Sequence, residues 1–249
     1  MNYRITLQYD GTRYDGWQRQ GNTERTIQGK LEAVLSRMAE SPVEVHGSGR
    51  TDAGVHALGQ VANFQLEGNR PPEEVSAYLN RYLPEDIRVL SAETAAERFH
   101  SRLNAQSKTY RYQVWTDGKA DVFLRSYVYA LGQPLNVPAM EQAAKRLVGT
   151  HDFKSFCGNR KMKKSTVRTI TAIHFLKLSG GKALAMDFTG NGFLQQMVRI
   201  LAGTLIEVGL GKRTPESVEQ ALLALDRSEA GFTAPPEGLC LMEVRYGGE

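Results

Sequence analysis

The chain has 249 residues, with 31 Lys and Arg against 27 Asp and Glu, a formal charge of +4 and an isoelectric point near 9.0. A hydrophobic fraction of 41% and a charged fraction of 23% exclude a disordered chain, and the length suits one large domain or two modest ones. No apolar run approaches the ~18 residues of a membrane span. Met1–Thr6 lacks a secretory core, and Cys157 and Cys240 are too few for a disulfide framework or metal cluster, so a reducing, cytoplasmic setting is expected.

In chain order, Tyr3, Ile5, Leu7 and Tyr9 alternate with polar residues, the period of a half-buried strand. Ile27, Leu31, Val34, Leu35 and Met38 recur at helical spacing, which predicts an amphipathic helix over 24–40. Val43 and Val45 predict a short strand, followed by a glycine-rich loop from Gly47 to Gly54. Ala62, Phe64 and Leu66 mark another strand. Pro71 and Pro72 open a helix with Val75, Tyr78, Leu79 and Tyr82 on its apolar face, and Pro84 stops it. Ile87 and Val89 give a fourth strand, completing β-α-β-β-α-β.

The second half follows the same plan. Tyr110, Tyr112 and Val114 form a strand, and 138–148 a helix with Met140, Ala143, Ala144 and Leu147 inward. Ala172, His174, Leu176 and Leu178 alternate in a strand, as do Leu184, Met186 and Phe188. A long helix is predicted over 192–208 and a shorter one from Pro215 to Leu225, and Leu239, Leu241 and Glu243 end the chain in a strand. The expected fold class is α+β: two pseudo-duplicated ferredoxin-like β-α-β-β-α-β halves, 1–104 and 105–249, with a central antiparallel sheet and a cleft between them. Element order alone carries the duplication, since the halves share no visible sequence identity.

Three features point to chemistry. Arg199 sits in the middle of the predicted helix 192–208, apolar around nearly its whole circumference, so its guanidinium needs either an acidic partner or a path to solvent. In the loop Gly47–Gly54, Arg50 and Asp52 are two apart and share a side if the segment is extended. A neighbouring Arg favours an ionised Asp, which serves as a nucleophile or a base; alternatively Asp52 only caps its own turn. The loop lacks the dinucleotide and P-loop patterns, and His46, His56, His100, His151 and His174 lack metal spacing. No metal and no cofactor is expected.

The third feature concerns RNA. The chain has 20 Arg and 11 Lys, and Arg suits phosphate and base contacts, although a GC-rich genome gives the same bias. Asn159–Arg168 carries five basic residues, Arg160, Lys161, Lys163, Lys164 and Arg168, and no acid. Such a run either neutralises phosphates or is a solvated loop. Asp10–Gln20 interleaves Tyr14 and Trp17 with Arg13 and Arg19, a composition for unstacked bases or for a turn with Trp17 in the core. Tyr110 and Tyr112 have the same two readings.

Together, Tyr9–Gln20, Gly49-Arg50-Thr51-Asp52-Ala53-Gly54-Val55-His56-Ala57, Phe99–Arg102, Lys108–Tyr112 and Asn191–Arg199 resemble, in order, the motifs of the bacterial tRNA pseudouridine synthase A (TruA-type) family. The resemblance runs over essentially the whole chain. It implies isomerisation of uridine to pseudouridine at positions 38 to 40 of the tRNA anticodon arm, without metal or cofactor, by a homodimer with tRNA crossing both subunits. It also implies Asp52 as the catalytic aspartate, with Arg50 in the same motif. Arg199 would be its partner and Tyr110 the residue at the target base. The segment 159–168 lies outside these motifs, so a tRNA-binding role there is inferred from charge.

Overall fold

The computed structural model describes residues 1–247. The chain divides into two compact units, one formed by Met1–Gln106 with the stretch from Cys240 onward, the other by Ser107–Leu239.

The first unit is a sheet backed by two helices. β1 (Asn2–Tyr9), α1 (Ile27–Ala39), β2 (Val45–Gly47), β3 (His56–Gln65), α2 (Pro72–Tyr82) and β4 (Ile87–Ala95) follow in that order. β1 pairs antiparallel with β3 on one side and β4 on the other. β2 pairs antiparallel with β3, and the last strand, Leu239–Tyr246, pairs parallel with β3 through Cys240 and Leu241.

The predicted alternation of β1 holds: Tyr3, Ile5 and Leu7 are fully buried. Ile27, Leu31 and Leu35 of α1 and Val75 and Leu79 of α2 are also fully buried. Thr26 caps α1 by accepting a hydrogen bond from Gly29 N. α2 ends at Leu83, whose extended backbone (ψ 152°) is the conformation a following proline imposes. Tyr82, expected inward, is exposed. The Arg37 guanidinium lies 3.9 Å from its ring centre, and Arg37 Nε donates to the Tyr78 hydroxyl. Both tyrosines therefore tie α2 to α1 at the surface, where an apolar body and a polar tip are compatible.

In the second unit, β5 (Ala105–Trp115), β6 (Tyr129–Ala130), α3 (Val137–Lys145), β7 (Gly149–Asp152), β8 (Val167–Leu178), β9 (Ala183–Gly190), α4 (Met197–Gly209) and α5 (Ser217–Ala224) precede Leu239–Tyr246, which is β10. β5, β9, β8 and β7 are successive antiparallel neighbours, and β6 adds a short parallel bridge to β5. Met140, Ala143, Ala144 and Leu147 are buried as expected, as are Leu184, Met186 and Phe188.

Two expectations fail here. The expected face of β8 holds only at its ends: Ala172 and Leu178 are half-buried, whereas His174 and Leu176 are exposed and the half-buried positions between them are Ile173 and Phe175. The register against β9 shifts between Ile170 and Ala172, and one extra residue in a strand turns the side chains that follow it to the other face, as at Ile173 and Phe175. The helix expected over 192–208 begins only at Met197. Gln196 ahead of it is left-handed, with φ 58°, and the backbone before it bonds elsewhere. Gly158 N donates to Gln195 O, and Asn191 N to Thr169 O.

Candidate active site

The loop from Ser48 to Val55 joins β2 to β3, and the first unit holds it from behind. Asp52 O accepts from Val55 N at 3.2 Å, and Gly54 has φ 78°, the left-handed third position that a type II turn requires. Thr51 is buried, Asp52 half-buried and Arg50 exposed. The three successive residues thus alternate in exposure, as an extended segment does.

The Tyr9–Gln20 segment forms the backing. Trp17 is only 2% exposed and Tyr14 6%, so these aromatics belong to the core and offer no face to a base. Trp17 N donates to Thr51 O, and Gly54 N donates to Tyr14 O. The glycines here are needed for close approach. A Cβ on Gly11 would lie 2.0 Å from Val55 O, one on Gly16 (φ 100°) 2.7 Å from Thr51 O, and one on Gly47 2.4 Å from the Trp17 ring. His56 Nδ1 accepts from Gly11 N at 3.1 Å and lies 3.2 Å from Asp10 Oδ1, closing the contact at the far end of the loop.

Other contacts were not foreseen from sequence. Gln28 and Glu32 sit on the buried stripe of α1. Gln28 Nε2 donates to Glu32 Oε1 and to Val45 O, and Glu32 Oε1 accepts from Val45 N. That stitch fixes β2 at the loop's entrance. Its signal was two polar residues, one turn apart, inside an apolar stripe. Arg19, a candidate for RNA, has a side chain 70% exposed, yet Nη1 lies 3.2 Å from Glu32 Oε2 and its backbone N donates to Gln28 Oε1. Arg13 is exposed in the short turn Gly11–Arg13.

The second unit places the remaining candidates. Tyr110 and Tyr112 share one face of β5, both buried, and differ in surroundings. The Tyr112 hydroxyl donates to Pro235 O at 2.8 Å, and burial, reinforced by Glu237, pushes its pKa upward, so it stays protonated and structural. The Tyr110 ring meets Phe193 edge-on at 5.3 Å, joining the Lys108–Tyr112 and Asn191–Arg199 segments. On the opposite face, Arg111 and Asp187 form a two-pronged pair, 2.7 Å at each contact, across directly opposed positions of β5 and β9.

Arg199 lies in the first turn of α4 and is half-buried, not in the middle of a fully buried helix. The late start of α4 moves it to the helix end. Its Nε donates to Ala234 O at 2.7 Å, and Ala234 N donates to Arg199 O at 3.1 Å. Of the basic run, Arg160, Lys161, Lys163 and Lys164 are exposed in the loop before β8. Arg168 is half-buried, its Nη1 donating to Ser165 O and Val167 O. Among the described residues no His, Cys, Asp and Glu group is arranged to hold a metal ion, and no helix is long and apolar enough to cross a membrane.

Comparison with known proteins adds an independent line. Residues 5–104 and 143–247 match the family model described as tRNA pseudouridine synthase. The chain is 48% identical over 245 residues to the tRNA pseudouridine synthase A of Bacillus sp. (strain KSM-64), covering 98% of this chain and 99% of that protein. It is 44% identical over 245 residues, with the same coverage, to tRNA pseudouridine synthase A 2 of Bacillus anthracis. With tRNA pseudouridine synthase A of Brevibacillus brevis (strain 47 / JCM 6285 / NBRC 100599) it shares 44% over 243 residues, 98% of each chain.

Proposed function

Because the chain belongs to the tRNA pseudouridine synthase family, whose members isomerise uridine to pseudouridine in tRNA, we propose that Asp52 is its catalytic nucleophile and that its targets are uridines 38 to 40 of the anticodon arm. One observation carries the assignment of Asp52: it is the acidic residue of a loop whose neighbours are pinned from behind, and it is itself half-exposed.

The reaction breaks the bond between N1 of uracil and C1′ of the ribose, turns the base, and joins C5 to C1′. The hydrogen on C5 leaves as a proton and N1 gains one, so no electrons are exchanged. A base that detaches and reattaches has to be flipped out of the stack and held. Asp52 has two routes, both balanced. It forms an adduct, either with the sugar, from which C5 of the rotated base later displaces it, or with the base, from which it is later expelled by elimination; or it removes a proton from the sugar as the base departs and later returns it. Arg199 is proposed as the cation that keeps the carboxylate ionised, Arg50 as a second guanidinium on its loop, and Tyr110 as the ring against the target base. These three roles rest on the motif match.

The anticodon stem-loop as partner, a homodimer and a cytoplasmic location are carried over on the same basis, with no metal or cofactor. So is the duplicated fold, two ferredoxin-like copies with a cleft between them. The order β1-α1-β2-β3-α2-β4 supports it; the later order, β5-β6-α3-β7-β8-β9-α4-α5-β10, follows the same plan only with β6, β7 and α5 as additions. Exposed Arg13 and the Arg160–Lys164 loop are the proposed phosphate contacts, and Arg19 and Arg168 are secondary to them.

The test is release of tritium from tRNA labelled at C5 of uridine. The wild-type chain is expected to release one tritium per pseudouridine formed, and Asp52→Asn none while still binding tRNA. Turnover by Asp52→Asn would remove Asp52 from the nucleophile role, and free uracil among the products would replace isomerisation by hydrolysis.

A further inference from the structure

Behind the Asp52 loop lies a buried polar network that the motifs do not explain. Its centre is the side chain of Gln60 on β3, fully buried. Gln60 Oε1 accepts from the Ser48 hydroxyl at 2.6 Å and from Val61 N at 3.2 Å. Gln60 Nε2 donates to Gly49 O at 3.1 Å and, more weakly, to the Tyr9 hydroxyl at 3.5 Å. The carboxamide thus uses both donors and both acceptor positions, the full capacity of a glutamine. The Tyr9 hydroxyl lies 2.8 Å from Thr51 Oγ1. If Tyr9 accepts from Gln60, its own proton is the one shared with Thr51. Burial drives the Tyr9 pKa upward, so that proton stays in place across the working range of the protein. Ser48 N, for its part, donates to Val61 O at 2.7 Å.

The network therefore grips the loop at residues 48, 49 and 51. Arg50 and Asp52, exposed and half-buried, alternate with these gripped positions. An apolar core would fill the space behind the loop equally well and would not fix its direction. A fully satisfied polar network specifies one arrangement, because any slip leaves buried groups unpaired. We infer that Gln60 is a positioning residue for the isomerisation, acting through Ser48, Gly49 and the Tyr9–Thr51 pair to hold Asp52 in its reactive orientation. This rests on the reading of Asp52 as the catalytic carboxylate.

The variants are Gln60→Met, which keeps length and volume without the amide, and the paired change Ser48→Ala with Tyr9→Phe, which removes the Ser48–Gln60, Tyr9–Gln60 and Tyr9–Thr51 contacts and leaves Gln60 in place. Each is assayed for tritium release at a temperature where circular dichroism shows it folded, beside Asp52→Asn. Gln60→Met is expected to lower kcat by roughly ten- to a hundred-fold, the scale of a misplaced reactive group, with KM for tRNA changed less than about threefold. The paired variant is expected to show a smaller loss in kcat, again without a KM change. A structural role alone would lower Tm and leave kcat of the folded protein at the wild-type value, and that result overturns the inference. Should Gln60→Met fail to fold, wild-type kcat in the paired variant overturns it equally. Turnover by Asp52→Asn would instead overturn the underlying reading, whereas an inactive Asp52→Asn beside a fully active Gln60→Met would overturn the positioning role alone.

Discussion

At the scale of single residues, Arg199 shows how a local contact changes an energetic expectation. On the sequence pattern, Arg199→Leu is harmless to stability, since leucine suits an apolar helix. In the structure the guanidinium donates to Ala234 O while its own backbone accepts from Ala234 N, so the side chain also anchors the segment near Ala234. Removing a charged donor from the carbonyl of fully buried Ala234 costs about 1 to 3 kcal/mol. Arg199→Leu is expected to lose that much in urea unfolding as well as its activity, and unchanged stability would show that the Ala234 contact contributes nothing. His100 gives a pH-dependent counterpart. Its ring stacks on His46 at 4.9 Å, and its Nδ1 accepts from Arg102 N, which only the neutral ring can do. Burial first and the neighbouring His46 second lower its pKa below the ordinary histidine value. The unfolded chain then takes up a proton that the folded one resists, so stability is present above about pH 6.5 and declines as the pH falls below it. The fall in Tm between pH 7 and pH 5 is expected to be smaller in His100→Gln. An unchanged slope would assign the decline to other groups.

At the scale of elements, most of the fold was legible because periodicity reports burial directly. β1, α1, α3 and β9 bury the residues their patterns selected, apart from Val34 of α1, which is half-buried. The failures share a cause: tertiary partners take over backbone hydrogen bonds. Phe193, Leu194 and Met197 fit a helical stripe, yet Gln195 O is bonded to Gly158 N and Asn191 N to Thr169 O, so α4 starts late. No local pattern encodes a donor 37 positions upstream. The Ser48–Val55 loop was legible as a loop, but its support was not, because Gln60 and Tyr9 look like ordinary strand residues until β1 and β3 are paired. The end of α1 offers a cleaner local test. Glu40, exposed, holds φ 54° at the C-terminal cap, where glycine is favoured. A left-handed conformation costs a non-glycine residue roughly 1 to 2 kcal/mol, partly offset by the greater unfolded freedom of glycine. Glu40→Gly is therefore expected to raise stability by about 0.5 to 1 kcal/mol in thermal unfolding. A loss would mean that the Glu40 side chain holds a stabilising contact of its own.

At the scale of the whole molecule, the net charge of +4 says little about RNA, because a guanidinium already paired with a carboxylate or held by backbone carbonyls is less free to reach phosphate. Arg111 is committed to Asp187, Arg19 shares Glu32, and Arg168 donates into its own loop. Lys161, Lys163 and Lys164 differ from these: they stand exposed before β8, in a run without an acidic residue. Each phosphate a lysine neutralises releases condensed counterions, contributing about 0.9 to the slope of log affinity against log salt on duplex DNA and about 0.7 on single strands, which bracket a folded tRNA. If all three lysines reach phosphates, replacing them together by glutamine lowers that slope by roughly 2 to 3. Replacing Arg19 and Arg168 by glutamine removes the same kind of formal charge from positions already engaged, so the slope is expected to change by well under half as much. Filter binding of tRNA to both variants over a salt series makes the comparison at equal fold. Equal slope changes per charge removed would show that total charge governs binding, and an unchanged slope in the triple-lysine variant would make the 159–168 run a solvated loop and nothing more.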